Sequence, residues 1–174
     1  MAIEEVVIAL NRLESDGLIA SYAIGGAVAA QAYIAPMSTE DVDVFVVFSG
    51  DSANSLSPLQ PIYANLIPRG AKISGPYLEI GGWPVQFLPA GAPLYTAAIS
   101  DARSLPFGDV SARVMGPEYL AAIALQTGRG KDHLRLLEFI NTGVLDESVF
   151  RNLVAHYGLS QKWSIFQAKF MEEP

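Results

Sequence analysis

The sequence contains no cysteine. That absence excludes disulfide cross-links, thiolate nucleophiles and cysteine-ligated zinc, and it fits a reducing compartment. Histidine is nearly as scarce, with His133 and His156 the two in 174 residues. Neither has metal-ligand spacing to another histidine, so both are expected to be structural or surface residues. Positive charge is in deficit: 11 lysines and arginines face 18 aspartates and glutamates, a formal net charge of −7. A protein so charged has no broad basic face with which to hold DNA or RNA. Long hydrophobic runs are missing too, since none approaches the ~18 residues that a membrane helix needs. No basic segment leads into an apolar one in the manner of a signal peptide, so the cytoplasm is the expected location.

What the chain has in quantity is apolar surface. Hydrophobic residues make up 51% and charged residues 17%, which is enough to bury a core in one domain, or in one domain with a helical appendage. Ile3, Val6, Val7, Leu10 and Leu13 recur at helical spacing and predict an amphipathic helix over 2–14. A short strand is expected at 22–24, a helix of small residues from Ala27 to Ile34, and a loop at 49–55. Residues 42–48 form an almost unbroken apolar run, the pattern of a buried strand. Leu59 to Leu66 reads as a helix. Tyr77–Ile80 and Val85–Leu88 flank Gly81-Gly82, a strong hairpin signal. A helix is expected after Pro93, a last edge strand at Val110–Val114, and helices at 118–127, 131–140, 147–157 and 161–171. Strands interleaved with helices, followed by helices alone, predict an α+β fold with a mixed sheet. Residues 1–112 are the expected core, and 113–174 a helical segment packed on it.

Two short patterns carry chemistry. Gly25-Gly26 ends an apolar stretch, and glycine backbone lets a phosphate approach N–H groups unobstructed. After a helix-length gap comes Ser38-Thr39-Glu40-Asp41-Val42-Asp43. Residues two apart on a strand share a face, so Asp41 and Asp43 present paired carboxylates at the mouth of a buried strand. Such a pair suits a hard divalent cation, most naturally Mg²⁺ with phosphate oxygens as further ligands. The alternative is a polar strand end turned to water. Ser38 and Thr39 suit either a phosphate contact or the turn before the strand. Arg129, Lys131 and Asp132 lie between two expected helices, where the cations either reach phosphate or cap and pair locally. Tyr77 and Trp83 beside the hairpin suit base stacking or ordinary packing.

Gly25-Gly26 followed by Thr39-x-Asp41-x-Asp43 resembles the signature of the nucleotidyltransferase superfamily, the polymerase-β-like fold. The stretch from Gly116 to Asp132, with its Arg129-Gly130-Lys131-Asp132 turn, is similar to the corresponding region of small prokaryotic nucleotidyltransferase-like proteins. Some of those act in toxin–antitoxin or phage-abortive systems. The resemblance implies binding of a nucleoside triphosphate with Mg²⁺, two ions if active, and transfer of a nucleoside monophosphate to a hydroxyl on a protein, an RNA or a small molecule. It assigns Asp41 and Asp43 to the metal, and Gly25, Gly26, Ser38, Thr39, Arg129 and Lys131 to the nucleotide. A protein partner is the further implication of the toxin–antitoxin likeness.

The pattern also departs from the family. Enzymes of the superfamily add an acid from a later strand, and Gln86 stands there in Pro84-Val85-Gln86-Phe87-Leu88. A glutamine is neutral and accepts no proton from an attacking hydroxyl. Met37 and Ala124 likewise replace an arginine and a lysine common in relatives. If the Gly81-Gly82 loop is even in length, Glu79 falls on the face of Gln86 and becomes the candidate third acid. Otherwise the chain keeps the fold and binds without catalysing.

Overall fold

The computed structural model describes residues 3–50 and 56–171. Its centre is one mixed sheet in the order β3-β4-β5-β2-β1-β7-β6. The first half of the sheet is β1 (Ile19–Ile24), β2 (Val42–Phe48) and β3 (Lys72–Ser74). The second is β4 (Tyr77–Ile80), β5 (Trp83–Pro89), β6 (Arg103–Phe107) and β7 (Val110–Val114). Strand β2 pairs antiparallel with β1 and parallel with β5, and β1 meets β7 in parallel. The apolar run of 42–48 therefore lies well inside the sheet, with Val42, Val44 and Val46 fully buried. A strand covered on both faces has this composition because most positions along it are shielded from water.

Helix α1 (Ile3–Ser15) lies over the sheet with Val6, Val7, Leu10 and Leu13 turned inward. Burying a leucine of this kind is worth about 1.5–3 kcal/mol. Polar contacts tie the helix to two strands at once. The Tyr22 hydroxyl on β1 donates to Asn11 Oδ1 at 2.6 Å, and Asn11 Nδ2 donates to the Ser111 carbonyl on β7 at 2.9 Å. Burial is the main reason that the Tyr22 phenol is pushed up to about 12.

Helix α2 spans Gly26–Ala30 and stops short of the expected Ile34, giving way to a chain of turns in which Ile34 is still buried. Helix α3 (Gln60–Leu66) and a 3-10 turn at Ile67–Arg69 lead into β3, and α4 (Pro93–Ser100) follows β5. The expected loop at 49–55 falls largely outside the described residues. Two strands had no strong signal in the sequence, and both are sheet edges. All three residues of β3 are exposed, and β6 carries Pro106 where no inner strand would accept it. Val110–Val114, expected as an edge, is instead covered by β6 and lies one strand in.

The remaining helices are α5 (Pro117–Thr127), α6 (Gly130–Asn141), α7 (Glu147–His156) and α8 (Ser160–Phe170). A division at 112/113 runs through β7, and the helical part begins at Pro117. It has no separate core. Leu120, Leu125, Phe139, Phe150 and Phe166 belong to the same buried cluster as Val44 and Leu10. Buried Glu118 on α5 accepts the Asp146 backbone N–H at 2.9 Å, and Asp146 in turn caps α7 by accepting from the Val149 N–H at 3.0 Å. Phe166 on α8 stacks on Trp163 and, with Phe170, flanks His133 of α6.

Tyr22→Phe removes the hydroxyl and leaves Asn11 Oδ1 without its donor. It is expected to cost about 1 kcal/mol of unfolding free energy in urea titration, with no change in the far-ultraviolet circular dichroism of the folded state. An unchanged midpoint would show that water replaces the phenol at no cost.

Candidate active site

The site begins where β1 runs into the diglycine. The Gly25 N–H donates to the Asp43 carbonyl at 2.9 Å, continuing the pairing of β1 with β2. It is therefore engaged in the sheet and not open to phosphate, which corrects the expectation for that residue. A Cβ at Gly25 would stand 2.6 Å from the Phe45 ring. Gly26 has φ +60°, and a Cβ there would stand 2.1 Å from Asp43 Oδ2. The carboxylate of Asp43 rests against the bare backbone of Gly26, in space that any other residue would fill. The diglycine thus serves close packing at both positions.

Asp41 and Asp43 line one cleft, of about 460 Å³, together with Ser38, Lys131 and Arg135. Val42 between them is buried on the opposite face. Thr39 also faces the cleft, but its hydroxyl donates to the Asp41 carbonyl at 2.9 Å, fixing the turn that delivers the aspartates. Tyr77 and Met37 complete the walls. The charge of Asp41, foremost, pushes the Tyr77 phenol above its ordinary range. A second hollow of about 310 Å³ shares Asp43, Arg129 and Arg135 with the first and continues past Gln86 to Tyr95. Volumes of this order are typical of small-ligand sites.

Asp43 sits at the junction. Burial first and the neighbouring Asp41 charge second raise its pKa, while Lys131, Arg135 and Arg129 pull it back down. The carboxylate is held partly out of water beside a like charge, the condition that a bound cation relieves.

Gln86 pairs with Asp43 across the parallel β2–β5 ladder, so the two side chains share a face. The hairpin register is the one expected, with Glu79 opposite Pro84 and Ile80 opposite Trp83 across a two-residue turn. Glu79 nonetheless lies a strand further out, opposite Lys72. It lines a separate hollow with Arg12, Arg69 and Lys72, and it lines neither hollow at Asp43. Parity along the strands was right, and lateral distance across the sheet separates it from the aspartates.

The three cations arrive on α6. Arg129 precedes its first turn and donates through Nε to Asp132 Oδ2 at 2.7 Å and through Nη2 to Oδ1 at 3.4 Å. Asp132, itself buried, also accepts the Arg129 N–H at 3.3 Å and so closes the helix start. Lys131 is exposed and makes no ion pair among the described residues. Arg135, which the sequence did not single out, stands one turn further on, with Nη1 3.7 Å from Asp132 Oδ1. The available signal was its i,i+3 spacing from Asp132 on a strongly amphipathic helix. His133 packs among aromatic rings, apart from the cleft. Among the described residues no group of three or more His, Asp or Glu gathers as a metal cage.

No protein-family model and no curated protein matches the sequence. Among solved structures, the chain superposes on an antigenic nucleotidyltransferase-like protein from Paracoccidioides brasiliensis with a TM-score of 0.60. The match has 16% identity and covers 97% of this chain and 93% of that one. The chain has a nucleotidyltransferase-like fold. Two structures of the antibiotic-resistance factor ANT(2'')-Ia also align. Its solution structure has a TM-score of 0.45 and 17% identity, covering 96% of this chain and 90% of that one. Its crystal structure with adenylyl-2''-tobramycin has a TM-score of 0.46 and 14% identity, covering 97% and 96%. In this nucleotidyltransferase-like fold the sheet brings Asp43 and Gln86 side by side, and the helical segment brings basic residues over them.

Gly26→Ala meets both a positive φ and an occupied space, and is expected to lower the melting temperature by several degrees, the size of a loss of 1 kcal/mol or more. Asp43 makes the opposite prediction. Its folded pKa lies above the unfolded value of 3.8, so ionisation weakens the fold as pH rises from that value through the folded one. Asp43→Asn should abolish that decline and melt above wild type at neutral pH in metal-free buffer. Melting curves between about pH 4 and pH 7 decide the matter, and parallel profiles for the two proteins would contradict it.

Proposed function

We propose that this chain binds a nucleoside triphosphate together with Mg²⁺ in the cleft at Asp41 and Asp43, and transfers a nucleoside monophosphate to a hydroxyl only slowly. The observation that carries this reading is the opening of both carboxylates into one cleft that also holds Lys131 and Arg135. The fit to a metal rests on the donor set. Asp43 is half-desolvated beside Asp41, and Mg²⁺ is ordinarily held by one or two carboxylates with phosphate oxygens and water completing its shell. Asp41 and Asp43 supply carboxylates for one ion. The second ion implied by the family likeness lacks an acid, because Gln86 is neutral. When bound, Mg²⁺ offsets phosphate charge that two aspartates would otherwise repel.

The chain's own residues bind and orient. Lys131 and the Ser38 hydroxyl face the cleft and suit phosphate oxygens. Gly26 leaves its neighbour Asp43 unobstructed, and Thr39 holds the turn. Transfer requires the acceptor oxygen to attack the α-phosphorus while the bond to the β-phosphate oxygen breaks and pyrophosphate leaves. The acceptor's proton needs a base, and on β5 the residue paired with Asp43 is Gln86, whose amide cannot serve as one. Glu79 is too far across the sheet for this part, so we assign it none. The same neutral Gln86, with Met37 and Ala124 in place of cations, favours a second reading: a nucleotide-binding protein of this fold that does not catalyse.

Melting experiments with each of the four nucleoside triphosphates test the binding. At least one should raise the melting temperature with Mg²⁺ and not without it, and Asp41→Asn should remove the effect. Gln86→Asp restores an acid beside Asp43 and should speed pyrophosphate release by about a hundredfold, the low end of a base's contribution. If the wild type releases none and the Gln86→Asp variant none either, the non-catalytic reading replaces the first.

A further inference from the structure

Arg135 is a guanidinium with little water and few partners. Its side chain is 11% exposed, its Nη1 stands 3.7 Å from Asp132 Oδ1, and its Nε is buried with no hydrogen-bond partner among the described residues. A buried donor without a partner is uncommon in a native protein, and arginine cannot shed its charge to relieve the cost. Arg129 holds Asp132 through Nε, Nη2 and the backbone N–H. Asp132 pairs with Arg135 at Nη1 alone and at 3.7 Å, beyond hydrogen-bond distance, so Nε is left without an acceptor among the described residues.

The position of Arg135 shows what could complete it. Together with Asp43 and Arg129 it forms the wall common to both hollows. Its charge acts on Asp43 and Asp41 as well as on Asp132. Of the three cations on α6, Arg129 is engaged at the helix start, and Lys131 is an exposed point charge. Arg135 alone combines burial with unused donors, and its planar fork matches two oxygens of one phosphate group.

We propose that Arg135 is the residue that holds a phosphate group of the ligand at the wall between the two hollows, with Asp132 as the residue that positions it. The assignment rests on the reading of this cleft as a nucleotide site, and it names a contact which that reading leaves open. Helix α5 lines the second hollow with Leu120, Ile123, Ala124 and Thr127, none of them charged, so the positive charge comes from the segment that follows it. A phosphate seated there would lie beside Asp43, where Asp41 and Asp43 are the residues that would hold an ion to offset its charge.

Inorganic tripolyphosphate, which has the phosphate chain without sugar or base, is the probe. Its affinity is measured by calorimetry with and without Mg²⁺ on the full chain, and that of ATP alongside. Arg135→Gln should lose at least about tenfold for both ligands, the scale of a charge-assisted contact. Arg135→Lys should recover part of the loss and remain at least about threefold weaker than wild type, since an ammonium keeps the charge without the fork. Arg151→Gln, a change at an exposed cation on α7 paired with Glu147, should bind as wild type does. Should the glutamine variant fail to fold, the lysine variant carries the test alone. Wild-type affinity in the Arg135 variants that fold overturns the assignment and leaves the nucleotide reading intact. If the wild type binds neither tripolyphosphate nor any nucleoside triphosphate in either condition, that reading falls and the assignment with it.

Discussion

The contact between the Asp43 carboxylate and the backbone of Gly26 is the constraint around which the site is arranged. An ideal Cβ on Gly26 would lie 2.1 Å from Asp43 Oδ2, well inside any tolerable approach, so residue 26 must be glycine if residue 43 is to keep its place. The adjacent Gly25 N–H fixes the register of β1 on β2 through the Asp43 carbonyl. Main chain and side chain of one aspartate are thus both anchored to the diglycine. That anchoring sets which way Asp43 points, and the parallel pairing of β2 with β5 then sets Gln86 beside it.

A second layer of control comes from the helices. The cleft is acidic on its sheet side and basic on its α6 side, and the two sides are held together by one hydrophobic cluster. Asp132 is the fixed point of the basic side. Buried and bonded to Arg129, it closes the start of α6 and leaves Arg135 facing Asp43. Charges of opposite sign brought this close across a partly dry cleft interact more strongly than they do in water. The raised pKa of Asp43 shows that burial and Asp41 still prevail over those cations. The cleft therefore sets a carboxylate pair short of positive charge opposite an arginine whose buried Nε has no hydrogen-bond partner among the described residues.

Physical reasons divide what was legible in the chain from what was not. The buried strand 42–48, the hairpin about Gly81-Gly82 and the amphipathic α1 follow from local patterns, because each is specified by residues within a few positions of one another. The expected pairing of Asp41 and Asp43 in one cleft agrees with their placement, since spacing along a single strand is local information. The edge strands β3 and β6 left almost no trace, because an exposed edge does not require alternating apolar residues, and Pro106 argued against a strand that only an edge allows. Helix α2 ended early where its small residues gave no strong preference for helix over turn.

Sequence by itself therefore determined the layered α+β architecture and the acidic strand mouth. Tertiary structure alone decided the rest. It took the Gly25 N–H into the sheet, because the pairing of β1 with β2 extends one residue further than the strand pattern suggests. It carried Glu79 away from the aspartates, because face parity is a property of two strands and distance a property of the whole sheet. It brought Arg135 into the wall of the cleft, because α6 packs on α5 and so carries that residue to Asp43, far away in the chain. Contacts of that kind depend on how elements dock, and no local spacing encodes them.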